Sequence, residues 1–224
     1  RPVMERLHFE TVSWPRFRHG PVEPVLGLQD YLELPPGNNP RTLAWAAALR
    51  RDPRWAEADA RALAGALMDH IRTQGYTYTL SPDAYDEAGR GTAVDEFWLD
   101  RKLGFCEHFA SAFVVVMRAL DVPARVVTGY QGAERDEASG TLIVRQSFAH
   151  AWAEYWQPGE GWVRADPTAA VAPDRIDRSR PLAPPRGLVA SAIDGIAPGL
   201  LLRARAAWEA VNFQWNQWVL NYSR

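Results

Sequence analysis

The chain contains a single cysteine, Cys106, in 224 residues, so it cannot form an internal disulfide bond. A lone cysteine either packs in the core, remains a free thiol or acts as a catalytic nucleophile. The residues around Cys106 in the sequence must decide among these three roles.

A strong charge of one sign is also missing, since 25 lysine and arginine residues oppose 27 aspartate and glutamate residues. This balance offers no basic surface for nucleic acid, and no acidic run forms a solvating tail. No metal-ligand cluster and no phosphate-binding loop is evident, so we expect neither a metal nor a cofactor. No uninterrupted run of eighteen apolar residues is present, so we expect no span of a bilayer within this sequence.

The chain begins Arg-Pro without an initiator methionine or a signal peptide, and we interpret it as a domain cut from a larger protein. Its pattern divides it into an extended segment (1–40), a periodic core (41–171), a linker rich in proline and arginine (172–187) and a helical segment (188–224). The last segment carries a tryptophan stripe. We expect it to pack on the domain or to lead toward a missing membrane segment, and an exposed stripe for a partner or membrane surface is the alternative.

The periodicity of apolar residues, together with glycine, proline and helix-capping residues, predicts the helices and strands of the core. Helices are expected from an Asn39 N-cap to Asp52, from Pro53 to Gly75, and from Cys106 to Asp121. The expected strands cover 76–80, 124–130, 141–145, 149–156 and 162–166, and the last two form a hairpin. The acidic residues of 83–96 lack the spacing of an EF-hand loop, so we interpret them as a solvated rim rather than a calcium site.

Cys106 stands where the third helix is expected to begin, directly after Gly104 and Phe105. A helix N-terminus stabilises a thiolate through its free N–H groups and its dipole. The same N–H groups can hold the oxyanion that forms when the sulfur attacks a carbonyl carbon. The position therefore favours a nucleophile.

A thiol nucleophile needs a base, and the chain offers five histidines. His108 is rejected, because two residues along a helix turn its side chain roughly 200° away from Cys106. Three others lie on an edge segment, in a loop and on the polar side of a helix, where a solvated role suffices: His8, His19 and His70. His150 opens a predicted strand and is the best candidate, although a strand histidine is often only packed in the core.

Asp166 is the candidate for the carboxylate that orients the imidazole. Side chains alternate along a strand, and directly paired residues face the same way. His150 and Asp166 are both even-numbered, so they share a face only if the connecting loop holds an odd number of residues. Glycine-containing loops of three and five residues are common, and we expect one here. An even loop would exclude the pair. The shared face would also carry Trp152, Glu154, Trp156, Trp162 and Arg164.

Four motifs resemble the transglutaminase-like superfamily over about residues 60–170. They are Gly104-Phe-Cys106-Glu-His-Phe-Ala-Ser-Ala, Val122-Pro-Ala-Arg-Val-Val-Thr-Gly-Tyr130, His150-Ala-Trp-Ala-Glu154 and Gly161-Trp-Val-Arg-Ala-Asp166-Pro-Thr168. The flanks, at Val171-Ala-Pro-Asp-Arg175 and Val211-Asn-Phe-Gln-Trp-Asn-Gln-Trp218, are similar to the TgpA-type branch of bacterial inner-membrane proteins.

The resemblance implies a papain-like α+β fold, in which the nucleophile helix packs on an antiparallel sheet between flanking N- and C-terminal helical segments. It implies a triad of Cys106, His150 and Asp166, the residues already selected by position. It also implies a periplasmic location, with membrane attachment through segments absent from this sequence.

Members of the family hold the oxyanion with the N–H of the cysteine and a second donor, for which Trp98, Tyr78 and Tyr76 are candidates beside Cys106. A core or rim role is the alternative for each. We expect four residues to line the substrate cleft: Trp152, Trp156, Trp162 and His108. Whether His108 and Glu107 bind substrate or brace the helix is left open by the sequence.

The expected reaction is acyl transfer from a glutamine carboxamide of a protein or peptide to an amine. A cysteine peptidase or amidase that hydrolyses the same thioester is the first alternative, because its chemistry is identical up to that intermediate. A non-catalytic binding module that acts through the tryptophan-rich C-terminal region is the second. Accessibility of Cys106 to iodoacetamide separates that module from the two enzymes.

Overall fold

The computed structural model describes residues 10–14, 17–135 and 140–173. The predicted C-terminal helical segment and most of the linker lie outside these ranges, as do the first residues of the N-terminal segment. Within the described ranges, no helix has the length and apolar character needed to cross a membrane.

The described residues form four α-helices: α1 (Pro40–Arg51), α2 (Ala60–Thr73), α3 (Ala93–Asp95), which continues as a π-helical turn (Glu96–Arg101), and α4 (Cys106–Ala119). The apolar stripe predicted for α2 is confirmed, since Leu63, Leu67 and Ile71 are fully buried. Its predicted start at Pro53 is wrong. The helix begins after Asp59, whose carboxylate accepts a hydrogen bond from the backbone N–H of Ala62 at 2.8 Å.

The N-termini of α1 and α3 are capped across the fold rather than locally. Asn39 is the N-cap residue of α1 and Pro40 is its first helical residue, as predicted, but Asn39 has a left-handed backbone (φ 51°) and its side chain makes no cap bond to this helix. Its side-chain oxygen accepts instead from the N–H of Val94 at 3.0 Å. Asp95, which is 1% exposed, accepts from the N–H groups of Arg41 and Thr42 at 3.1 and 2.7 Å. Asp95 therefore belongs to the core, and the prediction that it lies on a solvated acidic rim is wrong.

The strands of the described residues are β1 (Thr77–Tyr78), β2 (Leu103–Gly104), β3 (Ala124–Tyr130), β4 (Glu134–Arg135), β5 (Leu142–Ile143), β6 (Ala149–Gln157) and β7 (Gly161–Ala165). The main sheet is antiparallel, in the order β3–β6–β7. Two further pairs are short: β1 with β2, which is parallel, and β4 with β5, which is antiparallel. The predicted hairpin of β6 and β7 is confirmed. The strands predicted at 76–80 and 141–145 are shorter in the structure, where each has two residues.

Helix α4 packs on one face of this sheet. Small residues at odd positions of β6 and β7, such as Ala153 and Ala165, share a core cluster with Phe109, Phe113 and Met117 of the helix. Alanine at these positions lets the helix approach the backbone of the sheet, and the larger side chains of α4 fill the space. The α+β prediction of a helix on an antiparallel sheet is thereby confirmed.

The opposite face of the hairpin is covered by the N-terminal segment. The N–H of Trp162 donates to the carbonyl of His19 at 2.7 Å, and the indole N–H of Trp156 donates to the carbonyl of Pro21 at 2.7 Å. A Cβ atom on Gly20 would lie 2.5 Å from the Trp162 ring, so only glycine permits this approach. A 3₁₀ turn, Leu26–Tyr31, then adds Leu28 to the two tryptophans.

Candidate active site

Cys106 is the first residue of α4 and is 4% exposed. The preceding residue, Phe105, is extended (φ −118°, ψ −177°), so the chain enters the helix directly from the β2 strand. The parallel pair fixes that entry, because Tyr78 is in register with Gly104 and the N–H of Thr79 donates to the Gly104 carbonyl at 2.8 Å. The sulfur is thus held at a helix N-terminus, where free N–H groups favour an anion.

His108 completes the start of α4. The N–H of Phe105 donates to Nδ1 of His108 at 3.4 Å, which is the reach-back bond of a capping box. The ring lies against aromatic rings of Phe105, Tyr85 and Phe97, at centroid distances of 4.5, 5.1 and 5.9 Å. Burial, with a smaller contribution from the Arg101 guanidinium, lowers the pKa of His108 to about 4. His108 therefore caps α4 as a neutral ring, in agreement with the helix-bracing alternative that the sequence left open beside a cleft role.

Glu107 lies in the same first turn, next to Cys106. Burial raises the pKa of its carboxyl group to about 7. The first turn of α4 thus carries two oppositely perturbed groups beside the thiol.

His150 and Asp166 meet on one face of the hairpin, near the start of β6 and the end of β7. Gln157 pairs with Gly161, so the connecting loop holds three residues, an odd number. Nε2 of His150 lies 2.7 Å from Oδ2 of Asp166, and their side chains are 2% and 9% exposed. Because an ionised carboxylate only accepts, Nε2 carries the proton and Nδ1 presents a lone pair in the neutral ring. Such an imidazole is oriented to work as a base at Nδ1.

The connection between α4 and β3 brings Cys106 to the same end of the sheet. The helix is about 21 Å long and the strand about 23 Å. The chain reverses between Ala119 and Ala124, so the N-terminus of α4 returns over the end of β3 that pairs with the start of β6. There Gly129 is opposite His150. The 3₁₀ turn that follows Asp166, Pro167–Ala170, also packs on α4.

Arg164 and Trp152 flank the histidine–aspartate pair. Nη2 of Arg164 donates to Oδ2 of Asp166 at 3.2 Å and to Oε1 of Gln131 at 2.9 Å. The guanidinium carbon lies 4.2 Å from the centroid of the Trp152 ring. That ring is nearly parallel to His150, with centroids 6.3 Å apart and an interplanar angle of 23°.

The other tryptophans predicted for the cleft lie elsewhere. Trp156 and Trp162 are 7% and 8% exposed and pack with Leu28. Trp156 is six residues beyond His150 on β6, about 20 Å along the strand. These two residues therefore lie at the far end of the sheet, and Trp152 is the predicted cleft tryptophan that lies beside His150.

The three candidates for the second oxyanion donor also differ in their placement, and one of them, Tyr76, donates its hydroxyl to the carbonyl of Trp98 at 2.7 Å. Trp98 is fully buried and stacks on His70 at 5.1 Å, and its indole N–H has no acceptor among the described residues. Tyr78 is in register with Gly104, and its ring stacks on Phe109 at 6.5 Å. Tyr78 is thus anchored beside the strand that leads into Cys106, whereas Trp98 lies in the core between helices.

Sequence reasoning did not assign a role to Arg164 or Gly129. The signal for Arg164 was its position two residues before Asp166 on one strand, which places both side chains on one face. Gly129 could not be identified in this way, because the close approach that it permits depends on the ring of Trp152. A Cβ atom there would lie 2.9 Å from that ring.

The sequence model of the transglutaminase-like superfamily matches residues 41–167. The chain is 41% identical over 231 residues to the protein-glutamine gamma-glutamyltransferase of Pseudomonas aeruginosa, a match that covers 99% of this chain and 33% of that protein. It is 38% identical over 89 residues to human protein-glutamine gamma-glutamyltransferase 2, which covers 30% of this chain and 13% of the human protein. The chain thus spans a third or less of the length of these relatives.

The crystal structure of the periplasmic domain of TgpA from Pseudomonas aeruginosa has a similar fold. The TM-score is 0.63 at 43% identity, over 69% of this chain and 52% of that one. A second crystal structure of the same domain, bound to ethylmercury, gives a TM-score of 0.61 at 45% identity, over 66% of this chain and 51% of that one.

Proposed function

Because the chain belongs to the transglutaminase-like superfamily, we propose that Cys106, His150 and Asp166 form a triad that transfers the acyl group of a protein glutamine to an amine. The observation that carries this proposal is the buried His150–Asp166 hydrogen bond of 2.7 Å, at the end of the sheet to which the N-terminus of α4 returns. The name of the Pseudomonas relative, a protein-glutamine gamma-glutamyltransferase, supports the same reaction.

In the first half of the reaction, Nδ1 of His150 takes the proton of the Cys106 thiol, and the thiolate attacks the carboxamide carbon of glutamine. The tetrahedral intermediate collapses when the C–N bond breaks and the imidazolium gives its proton to the leaving nitrogen, which departs as ammonia. A thioester between the glutamyl carbonyl and the sulfur remains. Asp166 holds the ring in one tautomer and stabilises its charged form.

In the second half, His150 acts as base toward a primary amine. The amine nitrogen attacks the thioester carbon, its proton passes to Nδ1, and the C–S bond breaks. The imidazolium returns the proton to the sulfur, so the product is an amide and the enzyme is regenerated. With a lysine side chain as the acceptor, the product is an isopeptide bond.

The oxyanion is held in this proposal by the N–H of Cys106 and by the hydroxyl of Tyr78. Tyr78 is preferred over Trp98 because the register of β1 with β2 ties it to Gly104, two residues before the nucleophile. The stacking of Trp98 on His70 favours a structural role for that ring.

Trp152 gives the site an apolar wall beside His150, which favours transfer over hydrolysis by limiting water at the thioester. Hydrolysis of envelope peptides through the same thioester is the competing outcome. The periplasmic origin of the similar Pseudomonas domain supports a role in the bacterial cell envelope. We propose that the domain acts on the outer side of the inner membrane, attached through segments absent from this sequence.

The test is incorporation of a fluorescent primary amine into casein, followed by mass spectrometry of the casein peptides. We expect Cys106→Ala and His150→Ala to abolish incorporation. His19→Ala is the matched control, because His19 is a half-exposed histidine near the far end of the same sheet face, and its variant should keep full activity. Glutamine converted to glutamate without amine adducts would show hydrolysis instead, and full activity of Cys106→Ala would end the proposal.

A further inference from the structure

We propose that Arg164 is a positioning residue, which holds Asp166 and Trp152 in place around His150 and thereby sets the turnover rate of the thiol chemistry. This inference rests on the proposed function of the Cys106–His150–Asp166 site. It adds a residue that never touches the substrate carbonyl or the sulfur in the proposed reaction.

The contacts of Asp166 show why a fourth residue is needed. Its Oδ2 atom accepts both hydrogen bonds, from His150 at 2.7 Å and from Arg164 at 3.2 Å. Its Oδ1 atom is buried without a hydrogen-bond partner among the described residues. Among the residues that the structure describes, the carboxylate is therefore held through Oδ2 alone. Without Arg164 it would keep a single hydrogen bond and could rotate about it, which would turn the imidazole as well.

The guanidinium group of Arg164 also contacts the second wall of the site. It lies 4.2 Å from the Trp152 ring centroid, within the range of a cation–π interaction. The planar fork of arginine can stack on an indole and donate in its plane at the same time, which a lysine ammonium cannot do. The hydrogen bond from Arg164 to the side chain of Gln131 also restrains the guanidinium group.

The backbone leaves room for this arrangement on the neighbouring strand. Gly129 is in register with His150, and an added Cβ atom there would lie 2.9 Å from the Trp152 ring. The ring is thus confined between Gly129 on one side and Arg164 above it. A side chain confined in this way keeps one orientation during turnover, which is what a pre-organised site requires.

The same sheet face carries a second arginine with matching chemistry, and it supplies a natural control. Arg125 donates from Nε and Nη2 to Oε2 of Glu154 at 2.9 and 2.7 Å. Its guanidinium carbon lies 4.2 Å over the Trp162 ring. Arg125 thus repeats the stacked, carboxylate-paired arrangement at the other end of the face, away from His150.

Alanine variants of the two arginines should differ in whether they lower the stability or the turnover rate. The Arg164 side chain is 48% exposed, and an exposed pair contributes little to stability, whereas the Arg125 side chain is 25% exposed. We expect Arg164→Ala to lower kcat for amine incorporation about tenfold with little change in KM for casein, and to leave Tm nearly unchanged. We expect Arg125→Ala to lower Tm more and to leave kcat unchanged.

The second readout needs no substrate. The rate at which iodoacetamide alkylates Cys106 at neutral pH reports on the base that removes the thiol proton. We expect Arg164→Ala to slow alkylation several-fold in the same direction as His150→Ala, and Arg164→Lys to recover only part of the rate. In the Arg125→Ala variant, Cys106 should be alkylated at the same rate as in the unmodified chain.

Failure of this inference is distinguishable from failure of the proposed function. If Cys106→Ala is inactive while Arg164→Ala matches the unmodified chain in kcat and alkylation, Arg164 is not a positioning residue and the triad proposal stands. If Arg164→Lys restores both rates fully, charge alone matters and the stacked geometry is not required, which also overturns the inference. Activity in Cys106→Ala would remove the basis of both proposals.

Discussion

The first turn of α4 carries two partly buried groups with opposite responses to pH, and we predict that they offset each other in the intact protein. Burial raises the pKa of Glu107 from 4.5 to about 7, and burial with Arg101 lowers the pKa of His108 from 6.5 to about 4. Each unit of pKa difference between the folded and unfolded states corresponds to about 1.4 kcal/mol. Each group therefore changes the free energy of unfolding by about 3 kcal/mol across its window.

The signs follow from which state binds more protons. Between pH 4.5 and 7 the folded state holds the Glu107 proton more tightly, so this group's contribution to stability is lost as the pH rises. Between pH 4 and 6.5 the unfolded state binds the His108 proton more tightly, so stability is lost as the pH falls. The two windows overlap over most of their range, which makes the sum nearly flat.

Two variants separate the contributions. Relative to the unmodified chain, Glu107→Gln should be equal in stability near pH 4 and more stable by about 3 kcal/mol at pH 8. His108→Gln keeps a side-chain acceptor at the N3 position while removing the titration. It should be equal near pH 8 and more stable by about 3 kcal/mol near pH 4.

Chemical denaturation of the three proteins at pH 4, 6 and 8 measures these differences, and groups common to all three cancel in the comparison. At about 2–4 °C per kcal/mol, the same differences appear in Tm as shifts of about 10 °C. Variant curves that run parallel to the unmodified protein at every pH would refute the reasoning, because neither group would then be titrating differently in the folded state.

Two further substitutions test the packing that supports the site. Asp95→Ala should lower the free energy of unfolding by about 2–3 kcal/mol, because it removes a buried acceptor of two backbone N–H groups. The control Asp100→Ala removes an exposed ion pair and should lower it by less than about 1 kcal/mol. Equal costs would contradict the buried cap. Gly129→Ala should cost about 1–3 kcal/mol and lower amine incorporation, because its Cβ atom displaces Trp152. Gly65→Ala, in open space within α2, should stabilise by about 0.5–1 kcal/mol, and a harmless Gly129→Ala would refute the close approach.

Local signals predicted the parts of the structure that local physics determines. The start of α4 at Cys106 follows from Gly104 and the apolar periodicity after it, and the structure begins the helix there. The alternation of β6 and the glycine turn predicted the hairpin, and parity predicted that His150 and Asp166 share a face if the loop holds an odd number of residues, as it does. These inferences depend on backbone geometry that short segments carry with them.

The errors share a different physical cause, which is contact between residues distant in the chain. Asn39 occupies the N-cap position of α1 as predicted, but its side chain bonds to α3, and the side chain of Asp95 supplies the bond to α1. Trp156 and Trp162 have the parity of cleft residues, yet the N-terminal segment packs over them. A face of a strand is readable from the sequence, but the element that covers each part of that face is not.

The central claim is that Cys106 carries the acyl group as a thioester and passes it to an amine. Intact-protein mass spectrometry of acid-quenched samples tests it directly, with a short glutamine peptide as the donor. Without amine, we predict a species heavier than the protein by the peptide mass less ammonia, present in the unmodified chain and missing in Cys106→Ala. Added primary amine should discharge it to the amine-modified peptide. No adduct on Cys106, or discharge that yields only the glutamate peptide at saturating amine, would contradict the account.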